Sequence, residues 1–212
     1  MNIVSASPAW GANLRPGYCG FITREHDIVG DGIDWFSRFD SGLPFCHAFV
    51  IESQLGNHED GFSIGNCNII EAHARLGVRR ATLDQYLIGP NVQCFIRVPF
   101  GYTDQIGAQI VDEARSHIGD KYGYGLIIAD ALANTYLGHL LNLITANVPD
   151  KIVCKLFTQR HHTICSELDA EALKSQHYLC LRGCLKRPSD TILPADLGND
   201  DSVFQETAFK IS

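Results

Sequence analysis

Cys165 lies in the run Thr163-Ile164-Cys165-Ser166-Glu167-Leu168, where an apolar approach delivers a thiol to the start of an expected helix. Unpaired N–H groups and the positive end of the macrodipole both favour thiolate over thiol in a first helical turn. That is the environment of a nucleophile. An isolated cysteine more often serves as a small buried hydrophobe, so its company decides the reading. Two strand-like segments upstream supply that company. Over residues 44–52, period two sets His47 beside Phe45, Phe49 and Ile51. In Cys67-Asn68-Ile69-Ile70-Glu71-Ala72-His73, residues Ile69, Glu71 and His73 share a face. His47, Glu71 and Cys165 together form a candidate Cys-His-acid triad. The imidazole holds the sulfur as thiolate and passes its proton to a leaving group, while the acid fixes the imidazole's tautomer and orientation. His73 is the alternative orienting residue. Taken singly, His47 reads as a satisfied core histidine and Glu71 as an edge carboxylate paired with an arginine such as Arg79.

The elements that must hold these groups are readable in part. Residues 77–81 suggest a return strand, Thr82 a cap for a helical segment over 83–87, and Pro90 the close of that unit. Residues 92–98 alternate with Val92, Cys94, Ile96 and Val98 on one side, the pattern of a strand half buried against a core. Thr103 or Asp104 can cap the next helix, in which Ile106, Ile110, Ala114 and Ile118 recur at helical spacing before Gly119. Residues 17–43 read as a loop followed by a short helix, and their acids do not match a calcium loop. The segment from Pro188 to Ser212 reads as a loop that packs. Residues 126–148 read as a core or groove-lining helix; Asp130, Asn134, His139 and Asn142 make it a poor membrane span. By alternation, the Cys46 thiol points away from His47.

Composition bounds the function. A chain of 212 residues with 45% hydrophobic and 19% charged residues suits a single α+β domain over residues 1–212 and excludes a disordered chain. A net charge of -7 and a pI near 5.6 argue against a broad nucleic-acid footprint. Eight cysteines without repeated spacing suggest reduced thiols rather than a disulfide framework. His161, His162, Cys165, Cys180 and Cys184 lack the paired short spacings of structural zinc, so no metal is expected. No phosphate-binding glycine loop stands in its strand-to-helix context, so no nucleotide cofactor is implied. Residues 1–16 lack the signal-peptide pattern, which leads to the expectation of a cytoplasmic protein or one exported without a classical signal.

The ordered set Phe45-Cys46-His47-Ala48-Phe49-Val50, Ile70-Glu71-Ala72 with Gly77-Val78, Gly119-Asp120-Lys121-Tyr122, Cys165-Ser166-Glu167-Leu168 with Ala172-Leu173, and Pro194-Ala195-Asp196-Leu197 resembles the circularly permuted branch of the NlpC-type papain-like cysteine hydrolases. In that branch the histidine strand precedes the cysteine helix. The resemblance covers most of residues 14–196. It implies a permuted papain-like fold, an antiparallel sheet or small barrel packed against helices with the nucleophile at a helix N-terminus. It also implies Cys165 as nucleophile, His47 as general base and acid, and Glu71 as the residue orienting His47. Tyr122 is a candidate for lining the site or donating to an oxyanion, or it packs its ring in the core. Asp169 departs from the family, standing where relatives carry an apolar residue, and is expected to face solvent or the cleft. The implied activity is cofactor-independent cleavage of peptide amide bonds, with peptidoglycan fragments as substrate, in a toxin-like effector or phage product whose delivery and immunity partners the sequence does not name. The alternatives are a lipid acyl hydrolase or thiol acyltransferase, with residues 126–144 lining an acyl groove, and a catalytically silent binding module.

Overall fold

The computed structural model describes residues 1–6, 13–24, 42–54, 66–87, 91–122 and 162–211. The short helix expected before residue 43, the 126–148 helix with its acyl groove, Pro90 and His161 lie outside the described residues.

Strands β1 (Asn2–Ala6), β2 (Cys19–Arg24), β3 (His47–Gln54), β4 (Cys67–His73), β5 (Gly77–Thr82), β6 (Val92–Pro99) and β9 (Phe204–Ile211) form one open sheet in the order β1-β9-β6-β2-β3-β4-β5. Every pairing in it is antiparallel except β1 with β9. A short parallel pair, β7 (Lys121–Tyr122) and β8 (His162–Thr163), stands beside β5. The α-helices are α1 (Asp104–Ser116), α2 (Cys165–Lys174) and α3 (Pro194–Gly198). The fold is mixed α+β, with an open rather than barrel-closed sheet.

Both sheet faces are covered. On one, α1 and α2 bury Ile110, Val111, Ala114, Leu168, Ala172 and Leu173 against Phe21, Ala48, Val50 and Ile70. Phe21 meets Phe45 and Phe204 with ring centroids 5.3 Å and 5.6 Å apart, and Phe45 meets Phe95 at 5.5 Å. Such aromatic pairs add about 0.5–1.5 kcal/mol each beyond their buried area. The opposite face gathers Ile22, Phe49, Ile51, Ile69, Leu83, Cys94 and Ile96. Burial on two faces accounts for the continuous apolar runs in β3 and β4.

Local rules set the helix ends. Thr103 Oγ1 accepts the Ile106 N–H at 3.2 Å and starts α1. The helix stops at Ser116, so Ile118 stands outside it and is 38% exposed rather than on the buried face. Residues 83–86 form a 3-10 turn, and Thr82 contributes no capping bond to it; its hydroxyl donates to the Asp84 carboxylate instead.

Several expectations are corrected. The segment 17–43 contains the central strand β2, and the tail after Pro188 contains β9, which joins β6 to the edge strand β1. Strand β6 is buried on both faces, since Phe95 and Arg97 point into the helix-covered core. Arg97 is tolerated there because its guanidinium donates to Gly198 O, Gln205 O and Asp201 Oδ1 at 2.8–3.0 Å. The strand of residues 44–52 begins only at His47, because Phe45 N–H turns back to Leu43 O. Alternation therefore fails before His47: Phe45 packs with the helix-side core, while Cys46 packs with the cluster that holds Phe49.

One glycine bears directly on the site. A Cβ on Gly20 in β2 would stand 2.1 Å from two carbons of the Phe49 ring, which lies flat across that strand. The same ring stacks on Tyr86 with centroids 5.6 Å apart and planes 9° apart. Gly20→Ala is expected to lower stability by about 1–3 kcal/mol through overpacking, read as an earlier urea midpoint with an unchanged slope; an unaltered midpoint would show that Phe49 moves aside freely.

Candidate active site

Helix α2 begins at Cys165 with Ile164 at its N-cap, and an isoleucine side chain accepts no hydrogen bond. The first-turn N–H groups are thus left for other acceptors. Glu167 Oε2 reaches back to the Ile164 N–H at 3.1 Å, and the Ser166 N–H points to the Cys165 sulfur. Ser166 Oγ donates to Ile192 O at 2.6 Å and anchors the helix start from behind. The start of α2 abuts the start of β3, so the sulfur also receives the Ala48 backbone N–H and a bond from the His47 ring.

The far side of His47 is equally constrained. Its Nε2 lies 2.9 Å from Glu71 Oε2 and 3.0 Å from the Tyr86 hydroxyl, which itself donates to Glu71 Oε2. With Nε2 so engaged, Nδ1 is the nitrogen left for the sulfur. Glu71 Oε1 accepts from Arg79 Nε at 3.0 Å and Gln85 Nε2 at 3.2 Å, and pairs with the Arg79 charge at an Nη2 separation of 2.7 Å. Arg79 also donates to Gln85 Oε1 at 3.1 Å, closing the ring of donors. The Glu71 side chain is 0% exposed and His47 17% exposed.

The charges follow from these contacts. Burial pulls the imidazole of His47 towards neutrality, but its bonds to Cys165 and Glu71 and the negative charges of both overcome burial and raise it to about 10. Burial opposes ionisation of Glu71, while His47, Tyr86 and Arg79 together bring its carboxyl down to about 2. Burial likewise opposes the Cys165 thiolate, yet the His47 ring and the Ala48 and Ser166 N–H groups lower the thiol below its ordinary value. These shifts all favour a thiolate–imidazolium pair backed by a carboxylate. Glu167, two residues along in the same first turn, is raised to about 7 by burial, with Glu171 and Asp190 adding to the rise against the Ile164 N–H.

Cys165, His47 and Glu71 are thus brought together. His73 is not: at the end of β4 its Nδ1 accepts the Arg75 N–H at 3.2 Å, and burial lowers its pKa. Tyr122 pairs in β7 with Thr163, two residues before Cys165, and its ring packs against the helix-side core. Asp169 contradicts expectation: it is 0% exposed, one turn beyond Cys165 on α2, because four residues of helix return its side chain to the buried face. Nothing in the sequence pattern singles out Tyr86, though its place four residues after Thr82 sets it over β4. Arg79 entered only as a structural partner of Glu71, while Gln85 went unnoticed.

Among the described residues no cluster of His, Cys, Asp and Glu is arranged to hold a metal ion, and no disulfide joins any of the described cysteines. Among the same residues no helix is long and apolar enough to cross a membrane. No family model matches the chain, and no curated protein matches it.

Two outcomes follow from this geometry. The folded-state pKa of Glu71 is depressed, so its contribution to stability is present above the ordinary carboxylate range and is lost as pH falls towards 2. Glu71→Gln is expected to cost about 3 kcal/mol at pH 7, as for breaking a buried pair, with the deficit against the parent protein shrinking as the pH of thermal melts is lowered from 5 to 2. A deficit that does not vary with pH would mean that Glu71 carries no charge in the fold. Tyr86→Phe removes one hydrogen bond to a charged acceptor, worth about 1.5–3 kcal/mol. Nuclear magnetic resonance titration of the His47 ring should show its pKa raised in this variant, because a carboxylate relieved of one donor and still held ionised by Arg79 grips the imidazolium more strongly; an unmoved pKa would show that the hydroxyl only fills space.

Proposed function

We propose that the protein is a cysteine hydrolase that cleaves amide bonds through an acyl-thioenzyme. The observation that carries this reading is the Cys165 sulfur at a helix start in contact with one side of His47, whose Nε2 is held by the buried Glu71. The helix packed on an antiparallel sheet, with the histidine strand earlier in the chain, supports the resemblance to permuted papain-like hydrolases.

In this reading the thiolate of Cys165 attacks the substrate carbonyl carbon, forming the C–S bond and placing charge on the carbonyl oxygen. The first-turn N–H groups of α2, free of a capping side chain, are the donors suited to that charge. The C–N bond then breaks as imidazolium His47 gives its proton to the departing amine. Neutral His47 next takes a proton from water, whose oxygen attacks the thioester; the acid leaves and the thiolate–imidazolium pair is restored. Glu71, backed by Arg79, Gln85 and Tyr86, holds the Nε2–H tautomer throughout.

The substrate we infer is the peptide portion of bacterial cell wall, acted on by a delivered effector or phage product. Resemblance alone supports it. The lipid reading depended on residues 126–144, and no described contact favours it. Incubation with purified peptidoglycan fragments and, separately, with phospholipid vesicles should release new amine termini from the fragments, with activity lost in Cys165→Ala and His47→Ala. Activity on lipid alone would remove the substrate assignment. Iodoacetamide at pH 6 should label Cys165 ahead of the other seven cysteines in the chain; slow, uniform labelling would favour a silent binding module.

A further inference from the structure

Asp169 is a fully buried acid near the nucleophile that the mechanism does not use. Its carboxyl is 0% exposed, and neither oxygen has a hydrogen-bond partner from an N–H or O–H group among the described residues. It stands four residues after Cys165 on the same face of α2, and the polar group nearest it from the sheet is the thiol of Cys19 on β2. A carboxylate in a fold built to hold one is given N–H donors, as Glu71 and Glu52 are here by arginines. Asp169 is given none, although burying an unpaired charge is among the costliest things a fold can do. The uncharged acid fits this space.

The surroundings bear on the same choice. Asp169 faces Cys165 from its own helix, Cys19 from β2 and, more distantly, imidazolium His47 from β3. Arg97 on β6 lies opposite Cys19 in register; its Nη1 and Nη2 are committed to Asp201 and to two backbone carbonyls, and although its buried Nε has no partner, Arg97 is not among the charges that act on Asp169. The charges of Cys165, His47, Glu71 and Arg79 already cancel. Among the described residues, imidazolium His47 is the one cation that acts on Asp169, and it is already shared by Cys165 and Glu71.

Resting on the reading of Cys165 as nucleophile, we propose that Asp169 is a positioning residue: an uncharged carboxylic acid behind Cys165 that leaves the single negative charge this space can hold to the sulfur. Burial first, and then repulsion from the Cys165 thiolate, hold its proton on to well above the usual carboxylate range. The coupling is reciprocal. Ionising Asp169 withdraws the thiolate, and removing the charge at position 165 makes Asp169 easier to ionise.

Three measurements on the full chain test this. The infrared difference spectrum between the parent and Asp169→Asn at pH 7 should contain the carbonyl stretch of a protonated carboxylic acid; carboxylate bands in its place would overturn the proposal. The pH midpoint of iodoacetamide capture at Cys165 should stay within about 0.3 unit in Asp169→Asn, whereas a fall of about one unit, a tenfold change in thiolate equilibrium, would show that Asp169 was charged. In Cys165→Ser, which keeps Asp169 and needs no second variant to fold, the protonated-acid band should disappear at a lower pH than in the parent. An unmoved band would reduce Asp169 to a structural role and overturn the coupling. If Cys165 in the parent shows no preferential capture at all, the proposed function fails while the infrared result for Asp169 stands on its own.

Discussion

A full negative charge on Glu71 sits where no solvent reaches it, and much of the surrounding architecture is explained by what that requires. An unpaired buried carboxylate would shed its charge by taking up a proton. Here β5 contributes Arg79, the 3-10 turn contributes Gln85 and Tyr86, and β3 contributes His47, so each oxygen is met by at least two donors. These groups come from three segments that are close in sequence on one side and distant on the other. The tight β4–β5 hairpin and its following turn form a preassembled donor set, and β3 brings the imidazole to it by sheet pairing, with Phe49 opposite Glu71 in register.

The helix-start position of Cys165 answers a second constraint. A strand end and a helix start are the two places where backbone N–H groups lack internal partners, and the molecule makes them coincide. Ala48 from β3 and Ser166 from α2 both turn towards the sulfur. An isoleucine at the N-cap, unfavourable for a lone helix, keeps a competing oxygen out of this position. Glu167 recovers part of that cost by accepting the Ile164 N–H, and Ser166 ties the turn to Ile192. The helix is therefore fixed by its buried face and its neighbours rather than by its own cap.

What could be read from the sequence was local. The spans of β4, β5, β6 and α1 follow from alternation, turn residues and the Thr103 cap, and the apolar approach to Cys165 marks the start of α2. Strand β9 was not legible because its alternation, as in Phe204-Gln205-Glu206-Thr207, is polar enough to resemble a surface segment. It becomes a strand through pairing with β6 and β1, which lie more than a hundred positions away in the chain. Strand β2 was masked by glycines that read as loop, one of which makes room for the Phe49 ring. Within the site, His47, Glu71 and Cys165 could be nominated because each chemistry has few eligible side chains. Tyr86 could not, since tyrosines are common and its role depends on a turn geometry that propensity does not specify. Asp169 was misplaced because an acid is ordinarily a surface residue; only the burial of the whole α2 face places it inside.

Charge neutrality joins these observations. With the sulfur ionised, thiolate, imidazolium, carboxylate and guanidinium alternate from Cys165 through His47 and Glu71 to Arg79, and a proton moving between sulfur and ring leaves their sum unchanged. The site can therefore pass between its ion-paired and neutral forms without importing charge into a low-dielectric interior, where an uncompensated charge is costly. Arg79, at 30% exposure, opens the chain of charges to solvent at its far end, and His47, at 17%, opens it less at its middle. The aromatic stack of Phe49, Tyr86 and His47 closes one flank of that line, with successive ring centroids 5.6 Å and 5.1 Å apart. Excluding water from the flank strengthens each electrostatic contact within the line. The same exclusion makes a further unpaired anion intolerable, so the chemistry assigned to Cys165 and the uncharged state assigned to Asp169 arise from one property of the interior.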